Sequence, residues 1–206
     1  MNKAIVIGSG FAGLSSAAYL AKAGLDVTVI EKNEDLGGRA RKFQAAGFTF
    51  DMGPSWYWMP EIFDNFFSYF DFKTQDFYDL IKLDPGFKIV FKESTMEIPS
   101  NWEDICFLFD KYEENGALKL NNFMDDAEKK YSIGLRFLYN SPGLSITELL
   151  KKDVLFNANK LQLLTSYRKH IRKYFSNEKL ISLLEFPVLF LGTSAKSAPA
   201  LYSLMA

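Results

Sequence analysis

Residues 3–40 read KAIVIGSGFAGLSSAAYLAKAGLDVTVIEKNEDLGGRA, and the order of residue types in this stretch decides the fold. Lys3 to Ile7 is a short β-branched run suited to a strand buried on both faces of a parallel sheet, and Gly8-Ser9-Gly10-Phe11-Ala12-Gly13 follows it directly. Leu14 to Ala23 is rich in Ala and Leu and predicts a helix that breaks at Gly24, after which Asp26 to Glu31 predicts a second strand. This is one βαβ unit. In it Gly8 would make the tight turn, Gly10 would let a pyrophosphate approach the backbone, and Gly13 would let the helix lie close to the strand. The phosphates would then sit on the helix N-terminus, where free N–H groups and the helix dipole favour negative charge. Glu31 lies 18 residues after Gly13, placed to accept hydrogen bonds from a ribose diol. A carboxylate there repels a 2'-phosphate and disfavours a nicotinamide phosphate ester at this turn.

A second glycine pair, Gly37-Gly38-Arg39, follows within a few residues of Glu31. Two glycines permit close backbone approach, and an arginine supplies fixed donors to phosphate oxygens. A single dinucleotide clamp has no need of this addition.

Composition narrows the class. The chain has 206 residues, of which 48% are hydrophobic and 24% charged, which is the balance of a globular protein with a real core. A net charge of -1 gives no electrostatic reason to expect nucleic acid. No apolar window is long enough to span a bilayer, and the run Ala4 to Ile7 is too short for a signal peptide, so a cytoplasmic location is expected. The single cysteine, Cys106, excludes an internal disulfide framework and a cysteine metal cluster and reads as a small apolar residue. The unusual feature is aromatic content: 20 Phe, 10 Tyr and 3 Trp make up 16% of the chain and point to a large apolar object being packed or bound.

The segment Glu31 to Ala40 resembles the extended dinucleotide-binding motif of the FAD-dependent amine oxidase and carotenoid desaturase superfamily. Further marks narrow the resemblance to bacterial phytoene desaturases and close relatives acting on carotenoid precursors. They are Gly47 to Trp56 with Met59 to Phe63, then Leu80 to Phe91, Phe186 to Gly192, and Pro199 to Tyr202, in the family's order from Ala4 to Tyr202. Family members are considerably longer, so the resemblance implies a truncated, N-terminal piece ending at Ala206. It implies an α/β fold, with a Rossmann-like FAD-binding βαβ unit and parallel sheet and part of an α+β substrate domain. The expected division is residues 1–75 for the N-terminal part of the FAD-binding domain and 76–206 for an incomplete substrate-binding domain. FAD is the implied cofactor. Its implied contacts are Gly8, Ser9, Gly10, Phe11, Ala12, Gly13, Glu31, Lys32, Gly37, Gly38, Arg39, Gly53, Pro54 and Ser55, with Trp56, Tyr57 and Trp58 toward the substrate.

Beyond the opening unit, Pro60 to Phe72 predicts a helix with Ile62, Phe63, Phe66, Phe67 and Phe70 on one stripe, either packing a core or facing substrate. Lys88 to Phe91 and Thr95 to Ile98 predict a hairpin with Phe87, Ile89 and Phe91 on one face. Ser100 to Glu103 has capping-box spacing and should start a helix reaching Asn115, and Ser145 to Glu148 repeats the device. Ala117 to Tyr139 is helical in period, and Ser141-Pro142-Gly143 ends it. Lys160 to Phe175 reads as an amphipathic helix with Leu161, Leu164, Tyr167 and Ile171 opposite Arg168, Lys169, Arg172 and Lys173. That basic face is either a solvated surface or a peripheral contact with the inner face of the cell membrane. His170, the only histidine, falls within the basic run and supports neither a catalytic triad nor a metal site.

A phytoene or diapophytoene chain offers side chains no carbonyl, phosphate or acidic proton, so desaturation chemistry would belong to the flavin and containment of a long apolar polyene to aromatic walls. Asp51 lies nearest the flavin-facing segment among carboxylates, but no catalytic proton acceptor is assigned. Two other classes share the scaffold: amine oxidases, carotenoid isomerases and ketolases among enzymes, and Rab escort and dissociation-inhibitor proteins, which bind prenyl chains without flavin.

Overall fold

The computed structural model describes residues 2–53, 56–140 and 161–205, with side chains described for all of these except 137–140. They form two compact units, Met1–Ile81 and Lys82–Ala206.

The first unit is built on β1 (Lys3–Ile7), α1 (Phe11–Lys22) and β2 (Asp26–Ile30). The two strands pair in parallel, with Lys3 opposite Asp26 and Ile7 opposite Ile30, so α1 is the crossover of a βαβ unit. The glycine turn continues directly into the helix: α1 begins at Phe11, earlier than its apolar periodicity suggests, with Gly10 extended at the N-cap. Gly24, at φ +86°, ends it where a side chain would be strained. The expectation that β1 is buried on both faces is corrected. Ile5 is 66% and Ile7 85% exposed, because the sheet has two strands among the described residues and one of its faces is uncovered.

A turn at Gly38–Ala40 leads into the antiparallel hairpin β3 (Arg41–Ala45) and β4 (Phe48–Met52). Phe43 and Phe50 stack across it, with ring centroids 4.8 Å apart, and remain exposed. Helix α2 (Pro60–Tyr69) has Pro at its first turn and ends three residues before the expected Phe72. Its aromatic stripe packs on α1: Phe63 meets Phe11 edge-on at 5.9 Å, and Phe66 and Phe70 meet Tyr19 at 5.8 and 5.4 Å. Within this unit the stripe is a packing surface.

The second unit holds the hydrophobic core. The hairpin β5 (Phe87–Val90) and β6 (Thr95–Ile98) contributes Met96 and Ile98, with Phe87, Ile89 and Phe91 turned to the same side. Helix α3 (Trp102–Tyr112) is capped by the Asn101 side chain, which accepts from the Asp104 amide at 2.8 Å. The cap therefore sits one residue later than the Ser100 box predicts, and the helix ends at Tyr112 rather than Asn115. Helix α4 (Gly116–Asn140) places Leu120, Phe123 and Ala127 inward at helical spacing.

The amphipathic helix expected over Lys160 to Phe175 is corrected to a short α5 (Tyr167–Ile171), capped by Ser166. Leu164 is exposed, while Tyr167, His170 and Ile171 are buried. The period misled because the chain crosses here as an isolated bridge, Ser166 to Pro199, rather than as continuous helix. Arg168 pairs with Glu185 and Arg172 with Glu178, so half of the basic run is neutralised by acids of α6 (Glu178–Glu185). Short helical turns at Phe186–Leu191 and Ala200–Met205 complete the unit. The expected break at Ser141-Pro142-Gly143 and the cap at Ser145 to Glu148 lie outside the described residues.

Candidate functional site

The glycine-rich turn is bound to β2 by its backbone, with the Gly8 amide donating to the Ile30 carbonyl at 2.7 Å. At φ +98°, Gly8 occupies the left-handed region that an L side chain avoids. A Cβ on Gly13 would fall inside the radius of the Gly8 carbonyl oxygen, so glycine at this position sets how closely α1 approaches the turn. Over Gly8 and Gly10, in contrast, a Cβ would meet nothing within 4 Å. No side chain caps the α1 N-terminus, and its first turn carries no acidic residue. An open glycine backbone beside uncapped helix amides fits a diphosphate.

The second glycine pair folds back onto the first. The Gly37 amide donates to the Ser9 carbonyl at 2.9 Å, and a Cβ on Gly38 would lie 3.1 Å from the Gly10 Cα. Both glycines have positive φ, +104° and +63°. Gly53, at φ +121°, lies against the Arg39 carbonyl, where a Cβ would overlap the oxygen. The three glycine-bearing segments are thus stacked backbone to backbone. Their glycines are needed for chain-to-chain approach whatever else they touch. Phe11, Ala12, Lys32 and Arg39 stand exposed around this stack.

Glu31 is the charged centre of the turn. Its Oε2 accepts from the Ser9 amide at 2.8 Å and the Ser9 hydroxyl at 2.6 Å. Its Oε1 accepts from the Asn33 amide at 3.0 Å and the Asn33 side-chain amide at 2.9 Å. These donors, led by the Ser9 hydroxyl, hold the carboxyl down at about 2, so it is ionised throughout the working range of pH. Asn33 was not singled out in the sequence, although an Asn two residues after an acid at a strand end is a recognisable turn signal.

Of the aromatic candidates, Trp56 and Trp58 meet edge-on at 6.0 Å, and Tyr57 stacks on Phe63 at 4.8 Å. Each is a little over one-third exposed. The Tyr57 and Tyr78 hydroxyls are 2.7 Å apart, and burial together with this contact pushes the Tyr57 phenol well above its ordinary value. Pro54 and Ser55 lie outside the described residues. Asp51 is exposed on β4 opposite Lys42 in the hairpin register.

The second unit contains a polar cluster that sequence reasoning missed. Lys130, on α4, is fully buried, bonding Asp126 at 2.6 Å, Ser203 Oγ at 3.0 Å and the Ala200 carbonyl at 3.3 Å. His170 Nε2 lies 3.0 Å from Asp126 and 3.2 Å from the Lys130 ammonium. Burial, then the Lys130 charge, push the imidazole down to about 4, so it is neutral near pH 7. Among the described residues no group of acids, histidines and cysteines could hold a metal ion, and no helix is long and apolar enough to cross a membrane.

Comparison with known proteins agrees with this geometry. Residues 6–72 match the NAD(P)-binding Rossmann-like domain family. The chain is 38% identical over 203 residues to carotenoid 3,4-desaturase of Haloarcula japonica, covering 97% of this chain and 41% of that protein. It is 30% identical over 204 residues to 4,4'-diapophytoene desaturase (4,4'-diaponeurosporene-forming) of Staphylococcus aureus, covering 98% and 41%. In fold it is similar to a triple mutant of putrescine oxidase, with a TM-score of 0.57 at 18% identity over 98% of this chain and 40% of that one. The chain is similar to these two desaturases over nearly all of its own length and spans about two fifths of theirs.

Proposed function

We propose that the chain supplies the dinucleotide-binding part and a portion of the substrate region of an FAD-dependent carotenoid desaturase. On this reading residues 1–75 belong to the FAD-binding domain and 76–206 to an incomplete substrate-binding domain. The observation that carries the proposal is the convergence, on one stack of glycine backbones, of an uncapped helix N-terminus and an ionised ribose acceptor. Phytoene or diapophytoene is the substrate class, in line with the names of the relatives.

FAD is the cofactor, and when bound it accepts the hydride equivalent removed from adjacent saturated carbons. This chain's residues bind and enclose. The amides at the start of α1 and the open backbone of Gly8 and Gly10 receive the diphosphate, Glu31 receives the ribose, and Arg39 stands beside them as a phosphate donor. Lys32 and the segment Gly53, Pro54 and Ser55 complete the cofactor contacts. Trp56, Tyr57 and Trp58 form an aromatic wall for a polyene. The raised Tyr57 phenol keeps its proton, so this residue serves as wall rather than base. A hydrocarbon dissolved in a bilayer reaches such a wall from the membrane surface, and Lys169 and Lys173 supply charge for peripheral contact with an anionic inner face.

The test is co-purification of flavin, read as an absorption band, with this chain and with a longer version from the same gene. Flavin on the longer form supports the reading, and flavin on neither folded form removes it. Sedimentation with anionic but not neutral vesicles would support the membrane contact, and no sedimentation with either would remove it.

A further inference from the structure

Glu31 is full before any nucleotide arrives. An ionised carboxylate offers about four lone-pair directions, and four donors within 3.0 Å occupy them. Two of the four are backbone amides, and the Ser9 segment is held in place by the Gly37 amide on the Ser9 carbonyl, beside the Gly8 bond to Ile30. The other two are a rotatable hydroxyl and a rotatable side-chain amide. We infer that Ser9 Oγ and the Asn33 side chain form a self-cap on Glu31, and that nucleotide binding proceeds by exchange of these two donors for the ribose diol.

This rests on the proposal that the turn holds a dinucleotide. It goes further in assigning Ser9 and Asn33 as determinants of affinity. A diol presents two hydroxyl protons, so it can replace one side-chain donor on each carboxylate oxygen while both backbone amides stay. The two donors differ in what their release costs. Ser9 is fully buried, so its freed hydroxyl must find another acceptor within the turn, whereas Asn33 is exposed and rehydrates. Ser9 is therefore the stronger restraint. Removing its hydroxyl leaves Glu31 still oriented by the two backbone amides and opens one lone pair to the ribose.

The test is a calorimetric titration of this chain, Ser9→Ala and Asn33→Ala with ADP and with 2',3'-dideoxy-ADP, which lacks the diol. Ser9→Ala is expected to bind ADP about fivefold tighter and Asn33→Ala about twofold tighter, with dideoxy-ADP unchanged in both. Unchanged or weaker ADP binding by Ser9→Ala overturns the self-cap, as does equal tightening for both nucleotides, the mark of a general structural effect. If no folded form binds either nucleotide, the dinucleotide reading fails and this inference falls with it. A second readout needs no ligand. The Glu31 carboxyl, followed by carbon NMR, should titrate near 2 in the parent chain and higher in Ser9→Ala. An identical titration in the two forms shows that the hydroxyl is not engaged and overturns the proposal.

Discussion

The two units of this chain are held together by different means. In Met1–Ile81 the one buried apolar side chain among the described residues is Ala17, and the turn that matters is made of glycine backbones in contact. In Lys82–Ala206 fifteen buried apolar residues among those described, from Met96 to Ala198, form a continuous cluster. A backbone stack tolerates no added atom, and a packed core tolerates no removed one. A unit that must present open backbone to a phosphate is therefore shaped by what it lacks, and a unit that must stand as a scaffold is shaped by what it fills.

The largest expected effect lies in the second unit. Phe123 is fully buried and meets Phe175, Tyr174 and His170 edge-on or tilted within 6.3 Å. Phe123→Ala should cost about 4 kcal/mol, the usual loss for a fully buried phenyl ring with its cavity. The check is hydrogen exchange of α4 amides, which should accelerate together, while the amides of β1 and β2 keep their rates. Acceleration in both units would show that their stabilities are not separate and would break the comparison.

The converse change is Gly13→Ala. Its Cβ would overlap the Gly8 carbonyl oxygen, so either the turn or the start of α1 must move, at about 3 kcal/mol. Amides of β1, α1 and β2 should lose protection and nucleotide binding should fall, with α4 unaffected. A similar alanine at Gly10, where a Cβ would meet nothing, should leave the protection of this unit unchanged while still obstructing a ligand. Stability and binding would thereby be separated at two glycines three residues apart.

How far the sequence reveals each unit follows from the same difference. The βαβ unit is readable because its determinants are local: glycines at fixed spacing, an acid at the strand end, and apolar runs bounded by breakers. The packing of Gly38 onto Gly10 was not readable as such, because a glycine permits approach without naming what approaches. The exposed face of β1 was missed because an apolar run signals burial and cannot show how many strands the described sheet contains. In the second unit the long helix α4 was evident from period, whereas α5 was overextended, since Leu161, Leu164, Tyr167 and Ile171 satisfy a helical period that the backbone breaks at turns between Leu161 and Tyr167. The basic run hid His170, whose partners Asp126 and Lys130 are 44 and 40 residues away in sequence. Contacts that distant leave no local pattern.

The polar cluster makes the second unit sensitive to acid. His170 ordinarily titrates at 6.5 and is pushed down to about 4 in the fold, so the unfolded chain takes up a proton before the folded one does. Stability is then full above 6.5 and falls as pH drops toward 4, by roughly 3 kcal/mol across that range. Asp126, Lys130 and Lys173 set the field at the imidazole, Asp126 opposing the shift and the two lysines adding to it. Thermal melting between pH 7 and 4 should show the α4 core weakening over this window, and His170→Gln should flatten the limb. A limb that persists in His170→Gln would assign the acid sensitivity to other groups.

The smallest expected effect sharpens the comparison most. Ile7 is the last residue of β1, in the centre of the motif, and by type it belongs in a core. Yet it is 85% exposed, so Ile7→Thr, which keeps a β-branched side chain on the strand, removes almost no apolar contact. The stability change should stay within about 0.5 kcal/mol, as for an ordinary surface substitution. Hydrogen exchange of the β1 and β2 amides gives the measurement, and the result discriminates cleanly. A cost near that of a buried isoleucine would mean that this strand face is covered in solution, and that the first unit, like the second, relies on apolar burial. A negligible cost means that the strand pair is held by its ladder, by α1 and by the glycine turn. The motif that presents backbone to a nucleotide would then also be the main support of the unit that carries it.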